Sequence, residues 1–315
     1  MAKELAQSNL DALIERLVAG DVAALARCIT LVDDSELGPA VRQRIRPFAG
    51  RANVIGFTGA PGVGKSTLVD AFISQLRRAG RSIAVAAIDP SSPLTGGAVL
   101  GDRIRMHRHT ADPGVFIRSI SSRGHLGGMS ESIHWTVDAM DAAGREVVII
   151  ETVGTGQSEV EVAEIADVCV VVSAPGFGDD VQAIKAGVLE IADIFVVNKA
   201  DFPLADLAAR QLRSMLALRD PARQHVPIVL TAATLGRGID ELCGAVDQIL
   251  RKPPAEKDRL RKRRLRRLIA QTAAKLARHL VLERSGDDAD ALINAVSSGE
   301  ISLETAATRA LRKAI

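Results

Sequence analysis

The segment Gly59-Ala60-Pro61-Gly62-Val63-Gly64-Lys65-Ser66 constrains what this chain can fold into more than any other. It has the spacing GxxxxGK[ST], follows the strand-like run Asn53–Thr58, and opens a helical pattern from Ser66 to Ala79. Strand, glycine-rich turn and helix in that order make a P-loop. Gly59, Gly62 and Gly64 let the backbone curl so that successive N–H groups face a β-phosphate, and the helix N-terminus adds partial positive charge. Lys65 is expected to bridge the β- and γ-phosphates and the Ser66 hydroxyl to ligate Mg²⁺. Ala60, Pro61, Val63 and Thr67 complete this nucleotide-binding stretch.

A second motif, Asn198-Lys199-Ala200-Asp201, follows the apolar run Asp193–Val197 and so falls at the C-terminal end of a strand, where open α/β sheets bind ligands. Guanine presents N1–H and a 2-amino group side by side, and one carboxylate, Asp201, can accept from both. Adenine has an acceptor at N1 and no 2-amino group, so the same carboxylate would face a lone pair. Lys199 is expected to lay its aliphatic stem along the purine and Asn198 to tie this loop to the P-loop. Thr231-Ala232-Ala233, after the run Val226–Leu230, is placed to offer a backbone N–H to guanine O6. The nucleotide is therefore expected to be GTP or GDP.

From Asn53 to about Leu250 strand-like runs alternate with helical patterns, the signature of an α/β P-loop NTPase with a mostly parallel sheet and helices on both faces. Residues 1–50 read as an N-terminal helical extension, with Leu10, Leu13, Ile14 and Leu17 on one stripe and Leu25, Ile29 and Leu31 on another. Pro253-Pro254 ends the P-loop domain at about residue 252, and 253–315 read as C-terminal helices. Arg259–Arg267 is a dense basic run, but Leu260, Leu265, Leu268 and Ile269 interleave at helical spacing, which favours an amphipathic helix packed on a partner. A net charge of +2, no Tyr and 3% aromatic residues make nucleic acid an unexpected partner. No apolar run reaches membrane-spanning length, and the N-terminus has no apolar signal core, so a cytoplasmic location is expected. Cys28, Cys169 and Cys243 stand alone in apolar or helical stretches and read as buried thiols.

Between the two motifs, Asp89 and Glu151 end apolar runs and Asp102 sits in a glycine-rich loop, so all three are candidate acids beside Mg²⁺ and Ser66. Glu151-Thr152-Val153-Gly154 stands where GTPases usually carry DxxG, with Glu in place of Asp. Thr155 rather than Gln follows Gly154, and Gln157 comes three residues after that glycine. The usual water-orienting side chain is missing, which predicts slow intrinsic hydrolysis. The stretches 91–101, 121–128 and 174–180 are glycine-rich loops suited to ordering around a γ-phosphate. His107, His109, His125 and His134 have no metal-ligand spacing and read as structural or loop residues.

With Glu151-Thr152-Val153-Gly154-Thr155-Gly156-Gln157-Ser158-Glu159 in view, the chain resembles the methylmalonyl-CoA mutase-associated GTPase chaperones. The P-loop segment Gly56–Thr67, Asp89–Pro93, Gly101–Met106, Ser122–Gly124, Gly178–Asp180 with Gln182 and Lys185–Gly187, and Asn198–Asp201 match the same pattern, from about residue 20 to 250. The resemblance implies a GTPase, slow alone and stimulated by its partner, that gates adenosylcobalamin delivery to an acyl-CoA mutase and protects it. It implies Lys65, Glu151 and Lys185 as catalytic candidates, Ser66, Asp89, Asp102 and Glu151 on the metal, and a loop from Gly176 to Gly187 that speaks to the mutase. It further implies homodimerisation through the C-terminal helices, with an adenosyltransferase as a further partner in a cofactor-loading complex. The family has also carried the label of an arginine or ornithine transport system kinase, yet no protein-kinase catalytic loop is present. Two other readings stay open: a GTPase serving another metalloenzyme, and a nucleic-acid-binding regulator acting through Arg259–Arg267.

Overall fold

The computed structural model describes residues 2–89, 106–121, 129–152, 157–176, 186–219 and 225–251, and beyond them 262, 265, 266, 269, 270, 272–274, 276–278 and 287–312. Seven strands form one sheet: β1 Asn53–Thr58, β2 Ile83–Asp89, β3 Val115–Ser121, β4 Val147–Glu151, β5 Val168–Ser173, β6 Ile194–Val197 and β7 Ile228–Leu230. Their order is β3-β2-β4-β1-β5-β6-β7 and every pairing is parallel. The chain builds one side of β1 through β2, β3 and β4, then the other side through β5, β6 and β7. The direction of building reverses beside β1, and the crevice outside the strand ends at such a reversal is where α/β sheets take ligands.

Burial on both faces explains why these strands are continuous apolar runs. Val54, Ala86, Ile88, Val148 and Ile150 point to one face, under Ile133, Val137, Met140, Val162 and Ile165, in a cluster that extends outward to Leu17, Leu25, Cys28 and Ile29. Ile55, Phe57, Val85, Val147 and Ile149 point to the other, under Leu68, Val69, Phe72 and Ile73 of the Lys65–Arg78 helix. There Phe57 meets Phe72 edge-on at 5.3 Å between ring centroids, the preferred geometry for two aromatic quadrupoles. A third cluster, around Phe195 and Leu212, seats the Ala205–Arg219 helix against β5 and β6.

The chain divides into two compact units, 1–252 and 253–315, so residues 1–50 belong to the same unit as the sheet. They form three helices, Ala2–Val18, Val22–Leu31 and Gly38–Ile45. The Asp21 carboxylate caps the second helix by accepting from the Ala23 and Ala24 amides at 2.8 and 3.1 Å. Leu10, Ile14 and Leu17 are buried as the stripe predicts, and Leu13 packs partly buried beside them.

This N-terminal layer is also fastened by polar contacts to the Met129–Ala142 helix. Ser132, Trp135, Asp138 and Asp141 recur every third residue, so each adjoins the next along a line that winds round the helix. Ser132 donates to Asp33 at 2.7 Å, the Arg42 guanidinium lies 5.3 Å from the Trp135 ring centroid, and Arg46 pairs with Asp138 at 2.7 Å. Asp141, 6% exposed, accepts from the backbone amides of Gly50, Arg51 and Ala52, the last two at 2.9 and 3.0 Å. Burial pushes its carboxyl above the ordinary range, against the pull of those amides. Asp141→Ala leaves the three amides that lead into β1 without their acceptor, and a loss of about 3 kcal/mol is expected from the denaturant midpoint. A loss under about 1 kcal/mol would show that water replaces the carboxylate.

In the second unit, Asp287–Ser297 and Leu303–Arg312 are helices. Leu265, Ile269, Leu276, Ile293 and Leu303 are exposed there. No described helix is long and apolar enough to cross a membrane.

Candidate nucleotide-binding site

The P-loop runs from the end of β1 into the Lys65–Arg78 helix, and two of its glycines are required by close approach. A Cβ on Gly59, at φ +139°, would lie 2.1 Å from the Val172 carbonyl oxygen of β5. On Gly64, at φ +91°, it would lie 2.5 Å from Asn198 Nδ2. The first contact lets the loop cross the neighbouring strand, and the second lets the base loop touch the phosphate loop. Lys65 is 6% exposed and its Nζ donates to the carbonyls of Gly59 and Ala60 at 2.7 and 2.8 Å. The ammonium thus lies folded over the loop, where a phosphate cradled by the amides would meet it.

Asn198 is the bridge of the site. From the end of β6 its Nδ2 donates to the Val63 carbonyl at 3.0 Å, while its Oδ1 accepts from Thr231 Oγ1 at 3.0 Å and the Ala233 amide at 3.2 Å. Both ends of this 2%-exposed amide are used, so three segments distant in sequence hold one geometry. Lys199, in the left-handed region at φ +57°, donates from Nζ to the Gly62 carbonyl at 2.8 Å. Its stem therefore spans from the base loop to the P-loop tip. Asp201 is exposed in the turn that follows, closed by the Phe202 amide donating to Lys199 O at 3.0 Å. The amides of Thr231, Ala232 and Ala233 donate to Val197 O, Arg237 O and Asn198 Oδ1, respectively. A contact from this stretch to guanine O6 would therefore be a shared, three-centre bond.

At the other side of the P-loop, Ser66 Oγ donates to Glu151 Oε1 at 2.6 Å, with the two residues 7% and 3% exposed. Glu151 reaches there because it ends β4, which pairs with β1 so that Phe57 stands opposite Glu151. Thr152 reinforces that alignment, donating from its amide to Phe57 O at 3.1 Å and from Oγ1 to Thr58 Oγ1 at 3.0 Å. A hydroxyl and a carboxylate converging at a strand end are hard oxygen donors, and they fit Mg²⁺, which completes its shell with phosphate oxygens and water. Asp89 closes β2 at the same edge of the sheet. Asp102, Lys185, Gly154 and most of the three glycine-rich loops lie outside the described residues.

Sequence reasoning missed the Lys199–Gly62 contact, the Thr58–Thr152 pair and the contact of His109 with Asp70, since each joins positions whose spacing in the chain carries no local pattern. Of the cysteines, Cys28 and Cys169 are buried and Cys243 is half-buried rather than buried. Burial pushes the Cys28 thiol up to about 11, and burial with the charges of Asp247 and Asp240 pushes Cys243 to about 12, so neither is a thiolate near neutral pH.

The family model of the methylmalonyl-CoA mutase-associated GTPase MeaB matches residues 25–288. A Pyrococcus horikoshii protein that carries a GTPase name is 50% identical over 238 residues, 74% of this chain and 75% of the relative. A Caenorhabditis elegans protein named as a mitochondrial methylmalonic aciduria type A homolog is 34% identical over 260 residues, 76% of this chain and 65% of the relative. Among solved structures, one titled LAO/AO transport system kinase superposes with a TM-score of 0.73 at 30% identity, covering 97% of each chain. The match over most of the chain, on a parallel sheet whose P-loop and NKxD loop are joined through Asn198, makes this chain a member of the methylmalonyl-CoA mutase-associated GTPase family typified by MeaB.

Proposed function

We propose that this GTPase gates adenosylcobalamin delivery to a cobalamin-dependent acyl-CoA mutase, with methylmalonyl-CoA mutase the expected client, and protects that enzyme during turnover. The observation that supports this most is family membership across residues 25–288 combined with a site in which the guanine-reading loop is wired to the phosphate loop. In this reading the amides of Gly59 to Ser66 and the Lys65 ammonium hold the β- and γ-phosphates. Asn198, Lys199 and Asp201 take the base, with a shared amide from Thr231, Ala232 or Ala233. Ser66 would hold Mg²⁺ together with Glu151, Asp89 and Asp102 directly or through water, and the ion would supply charge neutralisation at the phosphates.

Glu151 and Lys65 are placed to act on the reacting phosphate, whereas Lys185 is assigned to the loop that answers the mutase. Because Thr155 follows Gly154, the attacking water lacks the usual Gln, and hydrolysis is slow until a partner completes the site. The protein works as a cytoplasmic homodimer joined through residues 253–315, with an adenosyltransferase in the loading complex.

Hydrolysis of GTP and of ATP, each with and without purified mutase, tests the proposal. GTP turnover is expected to rise on the order of tenfold with the mutase while ATP turnover stays at background. Absence of both stimulation and a nucleotide-dependent complex with any cobalamin mutase sinks the chaperone reading and leaves the GTPase intact.

A further inference from the structure

The Lys65–Arg78 helix packs on the sheet and also meets the Ala233–Leu235 turn and the Ile239–Leu250 helix. Leu68, Val69, Phe72 and Ile73 enter the core, while Thr67, Asp70, Ser74 and Arg78, spaced by three and four, line a cavity of about 420 Å³. Its other walls are Arg108 and the Ala233–Asp240 stretch. Apolar packing is non-directional, so it resists displacement of a helix better than a small rotation about its own axis. A turn of roughly 10° moves an atom lying 5 to 6 Å from that axis by about 1 Å, enough to misplace an Nζ or an Oγ.

Beyond the Ser66–Glu151 bond at its first turn, polar ties further along hold the helix against such rotation. Arg77 grips Asp112 at 2.8 and 2.9 Å, but at the last turn. Gln75 donates to Asp240 at an exposed position. Next along the helix after Ser66, a tie is made by His109, 7% exposed on the short turn His107–His109. Its Nε2 lies 3.2 Å from Asp70 Oδ1, 3.2 Å from the Asp70 carbonyl oxygen and 3.4 Å from Ser74 Oγ, which itself donates to that carbonyl at 2.9 Å. With the ring proton on Nε2, His109 donates to the Asp70 carbonyl oxygen, while Asp70 Oδ1 stands beside it without a hydrogen bond of its own among the described residues. The turn is itself fixed, because Met106 is fully buried in the core beneath the helix and the Asp112 amide donates to His109 O at 3.1 Å. Asp70 follows Ser66 by one helical turn, about 6 Å along the axis.

We propose that His109 is a positioning residue for the phosphates of the bound guanine nucleotide. Acting through Asp70 and Ser74, it sets the rotation of the P-loop helix and thereby the directions in which Lys65 Nζ and Ser66 Oγ are presented. The inference rests on the reading of Lys65 and Ser66 as phosphate-side groups.

The test is titration of fluorescent GDP with Mg²⁺ into the full chain, comparing His109→Phe, which fills similar space without an N–H, with His109→Gln, which keeps a donor. His109→Phe is expected to weaken GDP on the order of tenfold. It should leave the preference for GDP over inosine diphosphate unchanged, since the base loop is untouched, while His109→Gln stays within about threefold of wild type. Lys65→Ala serves as the control for the underlying reading. If Lys65→Ala binds GDP like wild type, the phosphate assignment itself fails. If Lys65→Ala weakens GDP while His109→Phe stays within about twofold of wild type, the positioning proposal alone falls. Loss of affinity and base preference together, or a lowered thermal midpoint with unchanged affinity, makes His109 an ordinary packing residue and also overturns it.

Discussion

Asp201→Asn is expected to lower the preference for GTP over xanthosine triphosphate on the order of a hundredfold or more. In the proposed pocket the aspartate accepts from N1–H and the 2-amino group of guanine. Xanthine has a carbonyl at position 2, which an asparagine NH₂ can satisfy and a carboxylate repels. The loop that carries the change should hold its shape, because Asn198 bonds Val63, Thr231 and Ala233, and Lys199 bonds Gly62, without using Asp201. Competition of the two triphosphates against fluorescent GDP gives the ratio directly. An unchanged ratio in a protein that still binds GDP would remove Asp201 from the base pocket.

The second large effect is expected at Glu151. Glu151→Gln keeps the reach and can still accept the Ser66 hydrogen bond, now 2.6 Å long, so the strand end is preserved while its negative charge is lost. GTP hydrolysis should fall on the order of 10²-fold and the Mg²⁺ concentration for half-maximal rate should rise about tenfold. Glu151→Asp tests reach rather than charge, since one methylene less withdraws the carboxylate from Ser66. Phosphate release followed across an Mg²⁺ titration reads both effects. A wild-type Mg²⁺ dependence in Glu151→Gln would assign the hydroxyl–carboxylate pair to structure alone.

The sheet was legible because a buried parallel strand writes itself as a continuous apolar run. Asn53–Thr58 was bounded to the residue, and the runs ending at Ile88, Ile150 and Val197 each fell within a residue or so of a strand end. Strand order was not legible, since nothing local in Val147–Ile150 says that it inserts between β1 and β2. The P-loop and NKxD segments were readable because each packs its chemistry into a few consecutive residues. The Ser66–Glu151 contact spans 85 residues and the Gly50–Asp141 contact 91, and such pairings become visible only when the sheet register is known. The same limit hid His109, whose bond to Asp70 depends on how the turn after residue 105 lies against the helix.

The first 45 residues have a bearing on how the gene can be cut. A shorter version beginning at Arg51 would keep every letter of both nucleotide motifs, yet would strip Leu17, Leu25, Cys28 and Ile29 from the apolar cluster they share with Ile133, Val137 and Met140. The outer side of the Met129–Ala142 helix would then meet solvent, and the Trp135 and Asp138 contacts that Arg42 and Arg46 supply would be lost. The minimal expressible unit is set by that covering layer and not by the motifs, so any transplant of this switch into another protein must carry its leading helices along.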